Sequence, residues 1–215
     1  MPPNDLVLAF DTSAAHCAAA LLSGDQLVAQ RHEPMEKGQA ERLMPMLAEM
    51  LVEAGISFRD LARIGVGTGP GNFTGVRISV AAARGLALGL GISAVGISAL
   101  QAQALGTNGA VLSTLDARKG ALYLQGFGLP EAPAAQILDL AALPPLPPAT
   151  CIGFAAEELA AHCAGRSALP RYPLCEAIAR LAQAQSAPDA PRPAPFYLRS
   201  ADAAPPSDPP PVILP

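Results

Sequence analysis

The chain is poor in several residue types, and their scarcity limits its possible functions. Its 215 residues include no Trp, three His, four Cys and two Lys, and aromatic residues make up only 4%. Eighteen acidic residues outnumber 14 basic ones, so the sequence lacks the basic excess with which a stand-alone nucleic-acid-binding protein neutralises phosphates. With 51% hydrophobic and 15% charged residues, the chain is too apolar to be disordered throughout.

The four Cys are too few for a disulfide framework and form no C-x-x-C pair. Cys17, Cys151, Cys163 and Cys175 have small neighbours, which is typical of buried thiols in a reducing compartment. Two of them follow a His, but adjacent residues of a strand point to opposite faces. We therefore expect no metal and no other cofactor.

Long hydrophobic runs are also absent. Residues 1–5 carry no positive charge, and Asp11 interrupts the first apolar run, so no signal peptide is predicted. The apolar stretch at 85–100 has 16 residues, fewer than the roughly 20 that a helix needs to cross a bilayer. We expect a cytoplasmic protein with no membrane segment.

What is present is an alternation of apolar segments and turns, which predicts an α/β fold with a mixed sheet. The predicted strands and helices are, in chain order, strands at 6–10, 16–22 and 26–33, a helix at 39–54, a strand at 63–67, a helix at 74–90, a strand at 92–96, a helix from 98, strands at 110–115, 120–127 and 151–154, and helices at 155–163 and 176–185.

A break at 107–109 and the distribution of proline divide the chain. Eighteen of the 23 Pro lie at or after Pro130. We predict an N-terminal domain over 1–106, a second domain over 107–190, and a proline-rich tail over 191–215.

The glycine-rich segment GTGPGNFTGVRIS, at 67–79, follows a predicted strand and opens a predicted helix. Backbone N–H groups in this context can hold an anion. The segment lacks the closing Lys-Ser/Thr pair of a P-loop and has Asn at the third glycine position of the dinucleotide motif. A purely structural turn is the alternative. The candidate anion-binding residues are Gly67, Gly69, Gly71, Asn72, Thr74 and Gly75.

A second candidate site follows the first predicted strand, at Asp11, Thr12 and Ser13. A carboxylate and two hydroxyls can contact a phosphate or a hydrated cation. They can also cap the turn through bonds from side chain to backbone, and this interpretation is favoured.

Two predicted helices have more apolar surface than one sheet requires. The helix at 39–54 is apolar around well over half of its circumference, and the helix at 74–90 carries small residues four apart at 81, 85 and 89. Packing of the two helices on each other would explain this, but we favour contact with another subunit. The predicted interface residues are Leu43, Met46, Leu47, Met50, Arg77, Ala81, Arg84 and Gly85.

Six motifs occur together in one order: LAFDTS at 8–13, ERLMPMLAEML at 41–51, the glycine-rich segment, GISAL at 96–100, LDARKGALY at 115–123 and PFYLR at 195–199. Through them the chain resembles the bacterial TsaB (YeaZ-like) family over residues 6–128 and 195–199. The resemblance implies an actin/Hsp70-like ATPase (ASKHA) fold of two RNase H-like lobes with mixed sheets, the second lobe being reduced.

The resemblance also implies a role in forming N6-threonylcarbamoyladenosine (t6A) at position 37 of tRNAs. In that system TsaD transfers the threonylcarbamoyl group and TsaE is an ATPase, while TsaB is the dimerisation partner of TsaD. The implied protein is a non-catalytic subunit that forms a heterodimer with TsaD and a ternary complex with TsaE. Alone it would form a homodimer, and it would meet tRNA only indirectly.

The residues themselves point to a site without catalytic function. The three His form no H-x-x-x-H pair, and both Asp11 and Asp116 lack the D-x-G pattern of ATP-binding members of the fold. We therefore predict no catalytic residues and interpret 11–13 as a vestigial phosphate turn. A His that is usual in the family near 38–40 is replaced by Gly-Gln-Ala.

The alternatives are a metal-dependent glycopeptidase-like or ATP-binding enzyme of the same superfamily, and a direct tRNA-binding module. The second of these would use the basic middle third, residues 61–129, which has five basic groups and one acidic group.

Overall fold

The computed structural model describes residues 6–185 and 191–199. These residues form two lobes, each built on a five-stranded sheet. The strands and helices are β1 (Leu6–Asp11), β2 (His16–Ser23), β3 (Gln26–Pro34), α1 (Gln39–Glu53), β4 (Arg63–Gly67), α2 (Phe73–Leu90), β5 (Ser93–Ile97), α3 (Ala99–Ala104), β6 (Val111–Arg118), β7 (Ala121–Phe127), β8 (Gln136–Asp139), β9 (Thr150–Gly153), α4 (Ala156–His162), β10 (Arg166–Ala168) and α5 (Leu174–Ala184).

The first sheet has the strand order β3-β2-β1-β4-β5. The chain meanders antiparallel through β1, β2 and β3, and then β4 and β5 lie parallel to β1. Parallel strands need a crossover connection, and α2 supplies it between β4 and β5. The predicted mixed sheet is confirmed.

Both faces of β1, the central strand of the first sheet, are buried because its side chains alternate between two cores. Leu8 and Phe10 of β1 face a core that α1 and α2 cover. Val7 and Ala9, the alternate residues, face a second core that α3 and α5 cover. Because side chains on both faces of β1 are buried, the sequence of this strand is apolar at successive residues.

The second sheet repeats the first in a smaller form. Its order is β8-β7-β6-β9-β10, with β6, β7 and β8 antiparallel and with β9 and β10 parallel to β6. Order and direction thus match the first sheet strand for strand. Its outer strands have only four and three residues, and its main helix, α4, has seven. This is the predicted pair of RNase H-like lobes with a reduced second lobe.

Helix α5 corrects the predicted extent of the second domain. It follows the second lobe in the chain but packs on β1, β2 and β4 of the first sheet, with Ile178 and Ala182 in the core of the first lobe. Arg63 of β4 donates to the carbonyl oxygen of Ala182 at 2.6 Å and caps the end of the helix. The position of α5 along the chain did not indicate this long-range packing.

The PFYLR segment is held against both lobes. The N–H of Phe196 donates to the carbonyl oxygen of Thr68 at 2.8 Å. Leu198 packs in a cluster with Leu100 and with Tyr123 of the second lobe. The part of the predicted tail beyond Arg199 lies outside the described residues.

Two further predictions can be compared with the structure. All four Cys are buried free thiols, as predicted, and burial raises the pKa of Cys17 to about 11. Among the described helices, α2 alone has the length and hydropathy of a membrane span, and one side of it packs against β4, β5 and β1.

Candidate partner surface and inter-lobe cleft

The two lobes enclose a cleft of about 700 Å³. Ser13 and His16 line it from the first lobe, Arg118 from the second, and Tyr197 and Arg199 from the tail segment. The structure therefore brings the predicted phosphate turn, the start of α2 and the tail to one place, although they are far apart in the sequence.

The predicted phosphate turn is closed by its own hydrogen bonds. The Oδ1 atom of the fully buried Asp11 accepts from the N–H and the hydroxyl of Ser13, both at 2.9 Å, and lies 2.9 Å from Nε2 of His16. Thr12 donates its hydroxyl to the carbonyl oxygen of Gly75 at 2.6 Å. Both hydroxyls that a phosphate would need are thus bonded within the chain.

The glycines of the loop allow it to pack directly on this turn. A Cβ atom added at Gly67, Gly71 or Gly75 would collide with the side chain of Asp11 or with the backbone oxygens of Ser13 and Thr12. Close backbone approach of this kind requires glycine. The spacing of the glycines therefore has a structural explanation.

The start of α2 is capped from within the chain. Oδ1 of Asn72 accepts from the N–H groups of Thr74 and Gly75, both at 3.0 Å, and the N–H of Asn72 donates to Ser13. Gly69 has a φ of +89° and accepts from the N–H of Ala99. An anion at this helix end would have to replace the side chain of Asn72. Anion binding by the loop stays a prediction.

In the second lobe, the turn that corresponds to a second phosphate motif is closed in the same way. Oδ1 of Asp116 accepts from the N–H of Arg118 at 2.6 Å. The hydroxyls of the first turn and Oδ1 of Asn72 are thus bonded within the chain, and the exposed Asp116 accepts one backbone N–H. Within residues 6–185 and 191–199, no group of three or more His, Cys, Asp or Glu side chains is arranged to hold a metal ion.

Four residues of the predicted partner interface lie in the core instead. Leu43, Met46, Leu47 and Met50 are at most 1% exposed and pack on the first sheet and on α2. A helical wheel shows the width of an apolar surface but not which side of it meets the sheet. These side chains are not available to a partner, which corrects that part of the prediction.

The other four predicted interface residues, Arg77, Ala81, Arg84 and Gly85, are exposed on α2. Four large apolar side chains outside the predicted list of interface residues are also exposed on the two helices: Leu88 is 86% exposed, Val52 75%, Met44 38% and Phe73 36%. For Met44 and Val52, the sequence pattern that indicated exposure was the apolar stripe at 44, 48 and 52, spaced four residues apart on α1. We refer to Met44, Val52, Ala81, Arg84, Gly85, Leu88 and Gly89 as the α1–α2 surface.

The α1–α2 surface contains a shallow groove of about 470 Å³, lined by Met44, Gly85 and Gly89 among others. Nothing lies within 4 Å of a Cβ atom added at Gly85 or Gly89, so these positions are open to an incoming side chain.

The polar edge of α1 is tied to β3. Arg42 donates to Glu33 and Glu49 at 2.7 Å, and Arg31 of β3 pairs with Glu53. The hydrogen bonds that Glu33 and Glu49 accept from Arg42 lower the pKa of both carboxyl groups. These bonds connect one edge of α1 to β3.

Comparison with known proteins identifies the family. A model of the family described as TsaD, tRNA N6-adenosine threonylcarbamoyltransferase, matches residues 33–143, just over half of the chain. The tRNA threonylcarbamoyladenosine biosynthesis protein TsaB of Escherichia coli K12 is 39% identical over 122 residues, which cover 54% of this chain and 52% of that protein. The chain thus spans about half the length of the curated TsaB relative. An uncharacterized protein of Mycobacterium tuberculosis H37Rv is 32% identical over 203 residues, 93% of this chain and 94% of that protein.

Solved structures agree with this result. YeaZ from Pseudomonas aeruginosa superposes with a TM-score of 0.70 at 27% identity, over 90% of this chain and all of that one. (R)-2-hydroxyglutaryl-CoA dehydratase component A from Acidaminococcus fermentans superposes with a TM-score of 0.53 at 10% identity, over 83% of this chain and 97% of that one, which shows the fold alone. The fold is the predicted two-lobed, actin/Hsp70-like ATPase fold. The chain belongs to the family that the TsaD model describes and is a TsaB/YeaZ-like member of it.

Proposed function

We propose that this chain is a cytoplasmic, non-catalytic subunit of the t6A machinery that binds TsaD through the α1–α2 surface. It supports transfer of the threonylcarbamoyl group to N6 of adenosine 37 of tRNA. TsaE joins the heterodimer in a ternary complex, and the chain forms a homodimer through the same surface when TsaD is absent. It meets tRNA only through TsaD.

The observation that carries the proposal is the exposed apolar surface of the helix pair. Leu88 and Val52 are more than two-thirds exposed, although α1 and α2 already cover their own sheet. Large apolar side chains exposed close to an open groove favour an interaction site. The open positions at Gly85 and Gly89 permit the close approach of a partner helix, since small side chains reduce the distance between helix axes.

The non-catalytic role is supported by the two phosphate turns. The hydroxyl donors of the first turn are bonded within the chain and Asp116 of the second accepts the N–H of Arg118, so the turn hydroxyls are not pre-organised to hold a nucleotide phosphate.

The cleft itself favours one alternative, an ATP-binding enzyme of the same superfamily. It has about the volume of a small-molecule site, and Oδ2 of Asp11 beside it is buried without a hydrogen-bond partner among the described residues. Calorimetric titration of the purified chain with Mg-ATP decides between the two. Stoichiometric binding of Mg-ATP in the micromolar range would contradict the non-catalytic role and favour the ATP-binding enzyme. Metal analysis of the same sample tests the glycopeptidase-like alternative.

The surface assignment is tested with matched charge insertions. We expect Leu88→Asp to weaken binding to purified TsaD at least about tenfold, because it buries an unpaired carboxylate in an apolar interface. Leu169→Asp is the control, since Leu169 is 89% exposed but lies in the second lobe, after β10. Gly85→Leu fills the open position and is expected to weaken binding without unfolding the free chain. Equal binding by Leu88→Asp and Leu169→Asp would show that the surface is wrong.

The pathway is tested separately. Depletion of the protein in its own host should lower the t6A content of tRNA, measured by mass spectrometry of nucleosides. Re-expression of the Leu169→Asp variant restores t6A and re-expression of Leu88→Asp does not. Unchanged t6A after depletion would remove the pathway assignment.

A further inference from the structure

Phe73 and Arg77, at the start of α2, form a cluster with Tyr197 of the tail segment. The guanidinium carbon of Arg77 lies 3.8 Å from the centroid of the Phe73 ring. Its Nε donates to the hydroxyl of Tyr197 at 3.0 Å, and the rings of Phe73 and Tyr197 stack with their centroids 4.9 Å apart. We call Phe73, Arg77 and Tyr197 the Arg77 clamp.

The clamp fixes a charge that has no counter-charge in the described chain. Arg42 and Arg180 each pair with a carboxylate, whereas no carboxylate of residues 6–185 and 191–199 lies within ion-pair distance of Arg77. Its two terminal nitrogens donate to no described residue. The side chain is held through Nε and its ring contact, and the fork of the guanidinium is left for an external acceptor.

The clamp lies at one end of the α1–α2 surface. Arg77, Ala81 and Leu88 are exposed on one face of α2, since Ala81 lies one helical turn and Leu88 three helical turns after Arg77. Arg84 lies on the same face and carries the same charge, but no described residue forms a hydrogen bond or an ion pair with it. Both arginines thus carry the same charge on the same helix, but only Arg77 is held in place by neighbouring side chains.

We propose that the Arg77 clamp is the charged anchor of the partner surface and takes a carboxylate of TsaD. This inference rests on the proposed function. Guanidinium binds carboxylate through two parallel hydrogen bonds, and its planar fork suits an interfacial ion pair better than an ammonium does. Because Phe73 and Tyr197 already restrict its rotamers, Arg77 loses little conformational entropy on binding. Binding hot spots are enriched in Arg and Tyr for related reasons.

The setting favours a protein carboxylate over an RNA phosphate. A nucleic-acid surface gains affinity from many phosphate contacts. Beyond Arg77, the exposed face of α2 is apolar, with Arg84 as its only other charged residue. Phe73 and Tyr197 also line the inter-lobe cleft together with Arg118 and Arg199. Along α2, however, Arg77 is one fixed cation beside an apolar face, as in a protein interface with a charged contact at the rim of a hydrophobic patch.

The inference also gives the tail segment a role. Tyr197 is a positioning residue, since it acts on the partner through Arg77. The PFYLR segment is then part of the partner surface, although it follows α2 by more than 100 residues in the sequence.

The test measures the affinity of full-length variants for purified TsaD by calorimetry at several salt concentrations. We expect Arg77→Ala to weaken binding about tenfold or more, and Arg77→Lys nearly as much, because lysine lacks the fork. Tyr197→Phe keeps the ring stack and loses the hydroxyl, and we expect a loss of about threefold. Arg84→Ala removes the same charge from an arginine of the same surface that no neighbour holds, and it should weaken binding clearly less than Arg77→Ala does. The affinity of Arg77→Ala should also depend less steeply on salt than that of the wild type, a change that a merely structural role of Arg77 would not produce.

The outcomes separate the anchor from the surface. If Leu88→Asp disrupts binding while Arg77→Ala and Tyr197→Phe bind like the wild type, the anchor is wrong and the surface stands. If Leu88→Asp also binds normally, the proposed function fails. Equal losses of TsaD affinity in Arg77→Ala and Arg84→Ala would mean that any positive charge on this surface has the same effect, which would contradict the proposed anchor. Loss of tRNA affinity with unchanged TsaD affinity would assign Arg77 to a phosphate. Thermal unfolding of each variant identifies misfolding. If Arg77→Ala does not fold, the proposal is tested with Tyr197→Phe and Arg77→Lys, which change the fewest contacts.

Discussion

A Cβ atom added at Gly75 would overlap the carbonyl oxygen of Thr12, whereas one added at Gly85, ten residues further along α2, would meet no atom within 4 Å. The same contrast separates Met46 from Met44 on α1, since Met46 is fully buried and Met44 is 38% exposed. Each helix thus has a packed side, which meets the first sheet and the phosphate turn, and an open side. Residue type does not distinguish the two sides, because Gly and Met occur on both.

Glycine therefore has a different effect on each side of the helix. On the packed side, glycine provides room for backbone that is already there. On the open side, glycine leaves room that nothing in the described chain fills, at a cost to helix stability of up to about 1 kcal/mol per residue relative to alanine. A partner that packs into this space would offset that cost.

The largest expected effect is on the packed side of α1. Met46→Ala should lower the free energy of unfolding by about 2–5 kcal/mol, because it removes a fully buried side chain and leaves a cavity. Met44→Ala should lower it by less than about 1 kcal/mol, since much of this side chain is already in water. Urea unfolding of both variants measures the difference. Similar losses in the two variants would contradict the distinction between the packed and open sides.

A slightly smaller loss is expected at the packed end of α2. Gly75→Ala should lower the free energy of unfolding by about 3 kcal/mol, because the added methyl group collides with the backbone of the phosphate turn and that turn cannot rotate away. The same denaturation experiment measures this. A stable Gly75→Ala variant would show that the loop and the turn are not in contact.

The open end of α2 should respond with the opposite sign. Gly85→Ala should raise the free energy of unfolding by about 0.5–1 kcal/mol, because alanine is the better helix former and the position has room for it. Gly89→Ala provides an independent repeat at a second open position. A loss of stability in both would mean that the open side is covered in the free protein, for example in a homodimer.

The smallest effect concerns the ion pairs that tie α1 to β3. Arg42 lowers the pKa of Glu33 and of Glu49, so folding is favoured by these carboxylates in their ionised form. That contribution is present above the ordinary pKa of 4.5 and is lost as the pH falls below it. Arg42→Gln should therefore show a weaker loss of stability on acidification between pH 5 and pH 3 than the wild type. Arg59→Gln is the control, and equal pH profiles for the two variants would contradict the assignment.

Much of the fold followed from the sequence because its signals are local. The start of the chain was predicted as three strands, and the predicted helix limits of 39–54 and 74–90 differ from the observed limits by one residue. Apolar periodicity and turn residues act over short distances, so they can be recognised without the rest of the chain. The short strands β8 and β10 were missed, since β10 has three exposed residues and forms through pairing with β9.

The candidate site was predicted less completely. Arg77, Ala81, Arg84 and Gly85 are exposed on the helix face where they were expected, whereas Leu43, Met46, Leu47 and Met50 lie in the core. The sequence contained both apolar stripes of α1 and could not assign them to the sheet and to the surface. It also gave no indication that Tyr197 would contact Arg77, because no pattern links residues 120 positions apart.

Most strands and helices and the glycine-rich loop could be recognised from the sequence alone, since each depends on residue type at short spacing, and the six ordered motifs indicated the family and with it the two lobes. Only the tertiary structure decided which side of each helix is buried, that α5 completes the first lobe, that the glycines of the loop make room for the phosphate turn, and that the tail holds Arg77. All four depend on contacts between distant segments, which arise only when the chain has folded and the hydrophobic surfaces of separate elements have found their partners.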